Sequence, residues 1–326
     1  MNTQKPILVI VVQGEKFFDF FKNEVENIWP SHSIYFLENY AGQVLYKFNY
    51  PANTDLLEFP YITEPSWKNY KEDIGYVWHL ENMEVVKTDY SNTSILKSAE
   101  KIIFMCPYLC QVDAIAFEIL INQTLGKADK PCLYCSAESF DREKIKLSMR
   151  NPVAVTDDFF QDSVTFYTAK RFFEYNFNFN SCVLFRPALK KAGILNNDFV
   201  FTKYVFQIFY ALKNKSDFSF DDIFDMIYYW KGTGLYPEAS SFYSGTIVQN
   251  LIDAGLIEDN GNGKEDNKHY DFTEEGKALF KFINPECWDI DMLGKLIVWQ
   301  QNWPECKKET EDYLIQFFRK QMEFNG

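Results

Sequence analysis

The sequence predicts an α/β domain over residues 1–150, with a parallel sheet carrying helices on both faces. A mostly α-helical, winged-helix-like domain follows over residues 151–326. Three observations carry this reading. Short β-branched runs alternate with helix-period segments through about the first 140 residues. From Asp141 onward the apolar spacing turns almost wholly helical. A length of 326 residues allows about two domains at ~150 residues each.

Residues 7–12 (ILVIVV) lack polar alternation, as expected of a strand buried on both faces. Phe17, Phe18, Phe20 and Phe21 then recur at helical spacing, and Ile34 to Leu37 forms a second strand. Pro51, Pro60 and Pro65 punctuate an irregular stretch over residues 50–76. Ser94 to Glu100 reads as a helix end, Lys101 to Met105 as a buried strand, and Asp113 to Leu125 as an amphipathic helix. Residues 131–135 (PCLYC) supply a further strand. A helix capped by Ser139 follows and stops at Asn151-Pro152.

Further helices are expected over DSVTFYTAKRFFEY, KYVFQIFYALKN and DDIFDMIYYWKG, the last preceded by Ser219 and ended by Gly232. Another runs from Ser244 to a C-capping Gly255. Strand residues 256–258, a polar loop, strand residues 270–272 and the helix EEGKALFKFI complete the helix–strand–loop–strand–helix layout of a winged-helix unit. Final helices span Asp291 to Gln301 and Lys308 to Glu323.

Composition narrows the functional classes. Lys and Arg number 33 against 46 Asp and Glu, a net charge of −13. That excludes a strongly basic, charge-driven nucleic-acid binder, because each phosphate contact wants a cation, yet it leaves room for one local basic face. Hydrophobic residues at 47% and aromatics at 18% exclude disorder over most of the chain. The longest early apolar run is Ile7 to Val12, too short for a signal peptide or a membrane span. Seven cysteines, an odd number, read as reduced thiols of a cytoplasmic protein.

Few motifs carry chemistry. His32, His79 and His269 show no triad pattern and read as surface or loop residues. Gly261-Asn262-Gly263-Lys264 is followed by Glu265 rather than Ser or Thr, so it reads as a wing turn and not a phosphate loop. Cys106, Cys110, Cys132 and Cys135 have spacings that thiolates can use to hold zinc, although Cys106 and Cys132 sit in or beside apolar strands as small hydrophobes would. Tyr175 to Asn180 alternates aromatics with amides. Such a stretch can stack unpaired bases, but here it reads as a half-buried extended segment.

Taken in order, these segments resemble the type IA DNA topoisomerase family. Leu8-Val9-Ile10-Val11 followed by Lys16 resembles the opening strand L-V-I-V-E-S-P-x-K. Lys101 to Phe117 resembles the toprim strand, turn and helix, with D-P-D-R-E-G-E and then A-I-A-W. Tyr134 to Pro152 resembles the R-x-x-F-x-E-I-T-like stretch whose helix ends in Asn-Pro, and Asp162 to Phe179 the helix D-x-x-x-A-x-R-x-x-D. Phe218 to Gly234, Tyr243 to Ile257 and Phe272 to Gly276 resemble F-T-E-A-S-L-I, T-Y-A-S-I-I and P-T-E-x-G in turn. The resemblance implies a toprim-like domain followed by a winged-helix-like region.

The departures bear on activity. The family's toprim site needs a Glu after the first strand and a D-x-D pair after a later one, carboxylates that hold Mg²⁺ and move a proton. Here Val12 takes the Glu position, Cys106 and Tyr108 take the D-x-D positions, and Asp113 alone matches an acidic site. The resemblance implies that the arch domains, which carry the family's nucleophilic Tyr, are deleted between Phe201 and Asp217. Tyr236, in Leu235-Tyr236-Pro237-Glu238, sits in another segment and lacks the motif's Arg. The expectation is therefore a catalytically inactive relative with no cofactor, Mg²⁺ entering only if the toprim site were functional. It would be a DNA-associated accessory scaffold binding DNA weakly through Lys16, Lys170, Arg171, Arg186, Lys190 and Lys191. A protein-interaction subunit with no nucleic-acid role is the alternative. An active enzyme using Glu15 and Asp19 is the third.

Overall fold

The computed structural model describes residues 5–12, 16–38, 48–68, 77–106, 111–126, 130–137, 141–196, 199–230, 237–264, 267–289 and 291–325. By contact the chain forms two compact units. One comprises residues 1–49 and 66–168, the other residues 50–65 and 169–326. The division falls within a helix near residue 168, and the proline-punctuated residues 50–65 group with the second unit.

Strands β1 (Ile7–Val12), β2 (Ser33–Glu38), β3 (Val77–Glu81), β4 (Glu84–Lys87), β5 (Lys101–Met105), β6 (Cys132–Cys135) and β7 (Val153–Ala154) form the first unit's sheet. Their order is β4-β3-β2-β1-β5-β6-β7. The β2-β1-β5-β6 core is parallel, and the edges are antiparallel. Helices α1 (Lys16–Ile28), α2 (Asn92–Ser98), α3 (Gln111–Leu125) and α4 (Arg142–Arg150) lie between the strands in sequence. Side chains alternate across a strand, and here both faces are covered. Leu8, Ile10 and Val12 pack with Phe18, Phe21 and Val25 of α1 and with Ile145 and Met149 of α4. Val9 and Val11 pack with Ala114, Phe117 and Leu120 of α3 and Ile95 and Leu96 of α2. That double burial is the physical reason for the unbroken apolar run in β1.

The hairpin β3–β4 and the short β7 are additions to the expected elements. The hairpin turns on Asn82 and Met83, at φ 51° and 65°, the left-handed pair a two-residue turn requires. The helix expected behind Ser139 is α4, and its cap is Asp141, whose carboxylate accepts from the Glu143 and Lys144 N–H groups; Ser139 lies outside the described residues.

Helix α5 runs over Asp158–Leu184, so Tyr175 to Asn180 is helical and not extended. Tyr175, Phe177, Phe179, Asn176 and Asn180 are all buried. The amides are satisfied by backbone 113 and 119 residues away. Asn176 accepts from the Thr63 N–H and donates to the Thr63 carbonyl. Asn180 does the same with Tyr61, at 2.7 Å each way.

The second unit continues with α6 (Arg186–Lys191), α7 (Lys203–Ala211), β8 (Phe218–Ser219), α8 (Phe220–Trp230), α9 (Pro237–Asp253), β9 (Ile257–Asp259), β10 (His269–Phe272), α10 (Glu274–Leu279), α11 (Met292–Gln301) and α12 (Lys307–Asn325). Its small sheet has the order β8-β10-β9, antiparallel throughout. Ser219 and Asp222 cap α8 reciprocally, each side chain accepting from the other's N–H. Gly255, at φ 71°, ends α9 in the left-handed conformation anticipated from its position. Thr273 caps α10 by accepting from the Gly276 N–H. A Cβ at Gly276 would collide with the Leu256 carbonyl, so only glycine fits there. The core is aromatic, with Phe177, Phe185, Phe206, Phe317, Phe318 and Trp299 buried together. No helix among the described residues is long and apolar enough to cross a membrane.

Candidate functional site

In the first unit, the chain leaves β1 for β2 on one side while β5 lies on the other. Open α/β sheets commonly take ligands beyond the carboxyl ends of the strands at such a reversal of strand order. Val12 ends β1 there, paired with Met105 on one side and Glu38 on the other. Cys106 follows Met105, and its backbone N–H donates to the Cys135 carbonyl at 3.1 Å. Its Sγ–H donates to Asp113 Oδ2 at 3.7 Å, a weak bond to sulfur. Asp113 lies in the first turn of α3, where the helix dipole favours an anion, and it is 4% exposed.

Three of the four expected toprim positions thus lie on one edge, while Tyr108 falls outside the described residues. Chemically the edge is sparse. Glu38 is buried at the end of β2, but β2 and β5 are separated by β1, which sets their backbones ~10 Å apart. Among the described residues no group of three potential ligands is close enough to hold a metal. The described residues of this edge do not form a Mg²⁺ clamp.

The cysteines divide the same way. Cys135 is at the carboxyl edge and Cys132 three residues back along β6, ~10 Å away at ~3.3 Å per residue. Burial pushes the Cys135 thiol up to about 12, so it is a protonated core group at neutral pH. Cys110 lies outside the described residues.

The candidate DNA contacts differ in exposure. Lys16 opens α1, and its side chain is outside the described part. Lys190 and Lys191 are exposed at the end of α6, and Arg186 is half-buried with Nη2 donating to Cys182 Sγ at 3.6 Å. Arg171 is only 4% exposed. Its guanidinium pairs with Glu174, which also pairs with the buried Lys203. Arg171 is therefore a buried ion-cluster residue rather than a surface cation. Burial alone would raise the Glu174 carboxyl, but Lys203, Lys170 and Arg171 outweigh it and hold it at about 2. Burial, opposed by Glu174 and reinforced by Lys170 and Arg171, lowers the Lys203 ammonium to about 8. The two shifts do not mirror each other because one carboxylate faces three cations.

The β9–β10 hairpin is acidic. Asp217 Oδ1 lies 3.0 Å from His269 Nδ1 and accepts from Asn260 Nδ2 at 2.8 Å. Hydrogen bonds from Asn260, His269 and Asn262 hold the Asp217 carboxyl below its usual range. Along α9, Gln249, Asn250 and Asp253 are exposed, and Gln249 donates to Asp253 at 2.7 Å.

The histidines are more engaged than their sequence neighbours suggested. His79 stands on β3 with Ser33 Oγ 3.1 Å from Nε2 and Glu81 4.0 Å from Nδ1. Ser33 and His79 are 46 positions apart, so only the β2–β3 pairing brings them together. The one signal in the sequence is the Ser–x–Tyr and His–x–Glu spacing of two strands, and the second, VWHLE, carries no clean strand alternation. Tyr236 and Glu15 lie outside the described residues. Compared with protein-family models and with curated proteins, the chain matches none.

Proposed function

We propose that this chain is a shortened relative of type IA topoisomerases that lacks strand-cleaving chemistry and serves as a DNA-associated accessory scaffold. The observation that carries the reading is the convergence of Val12, Cys106 and Asp113 on the carboxyl edge of two adjacent parallel strands. These residues occupy the toprim acidic positions in the resemblance, and two of the three are no longer acids. The second unit supports the same assignment. Its order α7–β8–α8–α9–β9–β10, with β10 between β8 and β9, is compatible with a winged-helix-like unit.

A second reading, a protein-interaction subunit, is favoured by the charge around the hairpin. Asp217, Glu258, Asp259 and Asp271 cluster on or beside β9 and β10, and the exposed face of α9 carries no cation between Ser244 and Gly255. A recognition helix normally presents donors and cations to phosphates and base edges.

One experiment tests both. The purified protein is assayed for relaxation of supercoiled DNA with and without Mg²⁺, then for DNA binding across a salt series. The expected result is no relaxation, weak binding, and a shallow slope of ~0.7–0.9 per phosphate neutralised. Lys190→Ala with Lys191→Ala is expected to weaken binding, and Gln249→Ala with Asn250→Ala to leave it unchanged. Relaxation that survives repurification would overturn the inactive assignment. Absence of binding at low salt would select the protein-interaction reading.

A further inference from the structure

A cavity of about 300 Å³ lies at the amino end of β2, lined by Lys5, Trp29, Ser33, His79, Glu81 and Asn82 among others. It belongs wholly to the first unit, at the opposite end of β2 from Glu38. Three of its lining residues stand in the relation of nucleophile, base and orienting carboxylate. Ser33 Oγ is 3.1 Å from His79 Nε2, and Glu81 Oε2 is 4.0 Å from the other ring nitrogen, Nδ1. Hydroxyl and carboxylate thus face opposite edges of one imidazole, the constellation that activates a serine. The Glu81 distance is long for a hydrogen bond, as such contacts commonly are before substrate binds.

The strand register explains the arrangement. Tyr35 pairs with His79 and Ile34 with Leu80, so one further step sets Ser33 opposite Glu81. Side chains two apart on a strand share a face, which gathers Ser33, Tyr35, His79 and Glu81 into a rectangle. The Tyr35 ring stacks on the imidazole at 4.5 Å and 22°, fixing its plane. Asn82, at the sharp turn, lines the same cavity.

We infer that Ser33, His79 and Glu81 form an acyl-transfer site that hydrolyses small carboxylic esters, an activity separate from any strand-passage chemistry. Ser33 Oγ attacks the ester carbonyl carbon, and its proton passes to His79 Nε2. The C–O bond of the tetrahedral intermediate then breaks, and the alcohol leaves with the proton from Nε2. Water repeats the sequence on the acyl-serine, releasing the carboxylic acid and restoring Ser33. Glu81 is a positioning residue that holds the Nδ1–H edge and stabilises the imidazolium. Lys5, whose Nζ also donates to the Pro30 carbonyl at 2.9 Å, and Asn82 line the cavity and are assigned as donors to the oxyanion. The Tyr35 ring, on the same face as Ser33 and His79, gives the acyl group an apolar neighbour.

The test uses the full chain with p-nitrophenyl acetate, and a fluorophosphonate followed by intact mass and peptide mapping. The expected outcome is one phosphonyl adduct on Ser33. Ester turnover should fall at least ~100-fold in Ser33→Ala and in His79→Asn, the scale of general-base catalysis. Glu81→Gln is expected to lower kcat ~10-fold or more with KM unchanged, a split that a purely structural role would not give. An unlabelled Ser33 in the folded wild-type protein would overturn the inference, and that measurement requires no variant. Hydrolysis undiminished in Ser33→Ala would do the same.

Discussion

Replacing Glu174 by Gln removes the carboxylate that both Arg171 and Lys203 contact inside the second unit. The shape is kept, and the buried ammonium of Lys203 loses its counter-charge. The magnitude follows from the protonation equilibrium. Glu174 is held at about 2 in the folded chain against an ordinary 4.5, and at 1.36 kcal/mol per pKa unit this is about 3 kcal/mol of stability. Breaking a buried pair from one side gives ~3–5 kcal/mol by the independent experience of other proteins. The sign fixes the pH window. A depressed carboxyl contributes fully above 4.5 and loses its contribution as pH falls toward 2. The deficit of Glu174→Gln should therefore be constant at about 3 kcal/mol between pH 5 and 7 and shrink steadily below 4.5. Urea titration at a series of pH values measures it. A deficit under ~1 kcal/mol at pH 6, or one unchanged down to pH 2.5, would refute the buried-cluster account.

The same cluster predicts an alkaline effect. Lys203 is lowered to about 8 from 10.5, so its charged form opposes folding below 8, and this penalty is relieved as pH rises through that interval. Lys203→Met should remove that alkaline gain, read by urea titration at pH 7 and 10. Asn176→Leu or Asn180→Leu deprives Thr63 or Tyr61 of two hydrogen bonds each, at ~1–3 kcal/mol per unsatisfied group. Chymotrypsin should then cleave after Tyr61 at least ~5–30-fold faster, and an unchanged rate would mean the amides do not hold this segment. Millimolar Mg²⁺ should leave the Tm unchanged, because a ligand stabilises by RT ln(1 + [L]/Kd) and the described residues of the carboxyl edge present no metal clamp. A rise in Tm abolished by Asp113→Asn would show that a metal is held there.

Much of the first unit follows from local pattern. ILVIVV and KIIFM are continuous apolar runs because side chains on both faces of β1 and β5 are buried, and the strand ends Val12 and Met105 follow directly. Ser219 and Gly255 mark helix ends because each meets a backbone requirement satisfied within three or four residues. The β3–β4 hairpin escaped notice because VWHLE mixes Trp, His and Glu, and its turn uses Asn82-Met83 rather than a glycine. With β3 unseen, the meeting of Ser33 with His79 was invisible too.

By itself, then, the sequence determined where apolar surface recurs and which residues cap and stop helices, since those depend on neighbours along the chain. Tertiary structure alone decided what lies opposite each face. It turned the Tyr175–Asn180 alternation into a buried helix, because Asn176 and Asn180 find their partners at residues 63 and 61. It placed Arg171 beside Glu174 in the interior instead of on a DNA-facing surface. Periodicity records that a face is covered, whereas the pairing of charges, amides and imidazoles depends on chain segments brought together from far apart by strand register and helix packing.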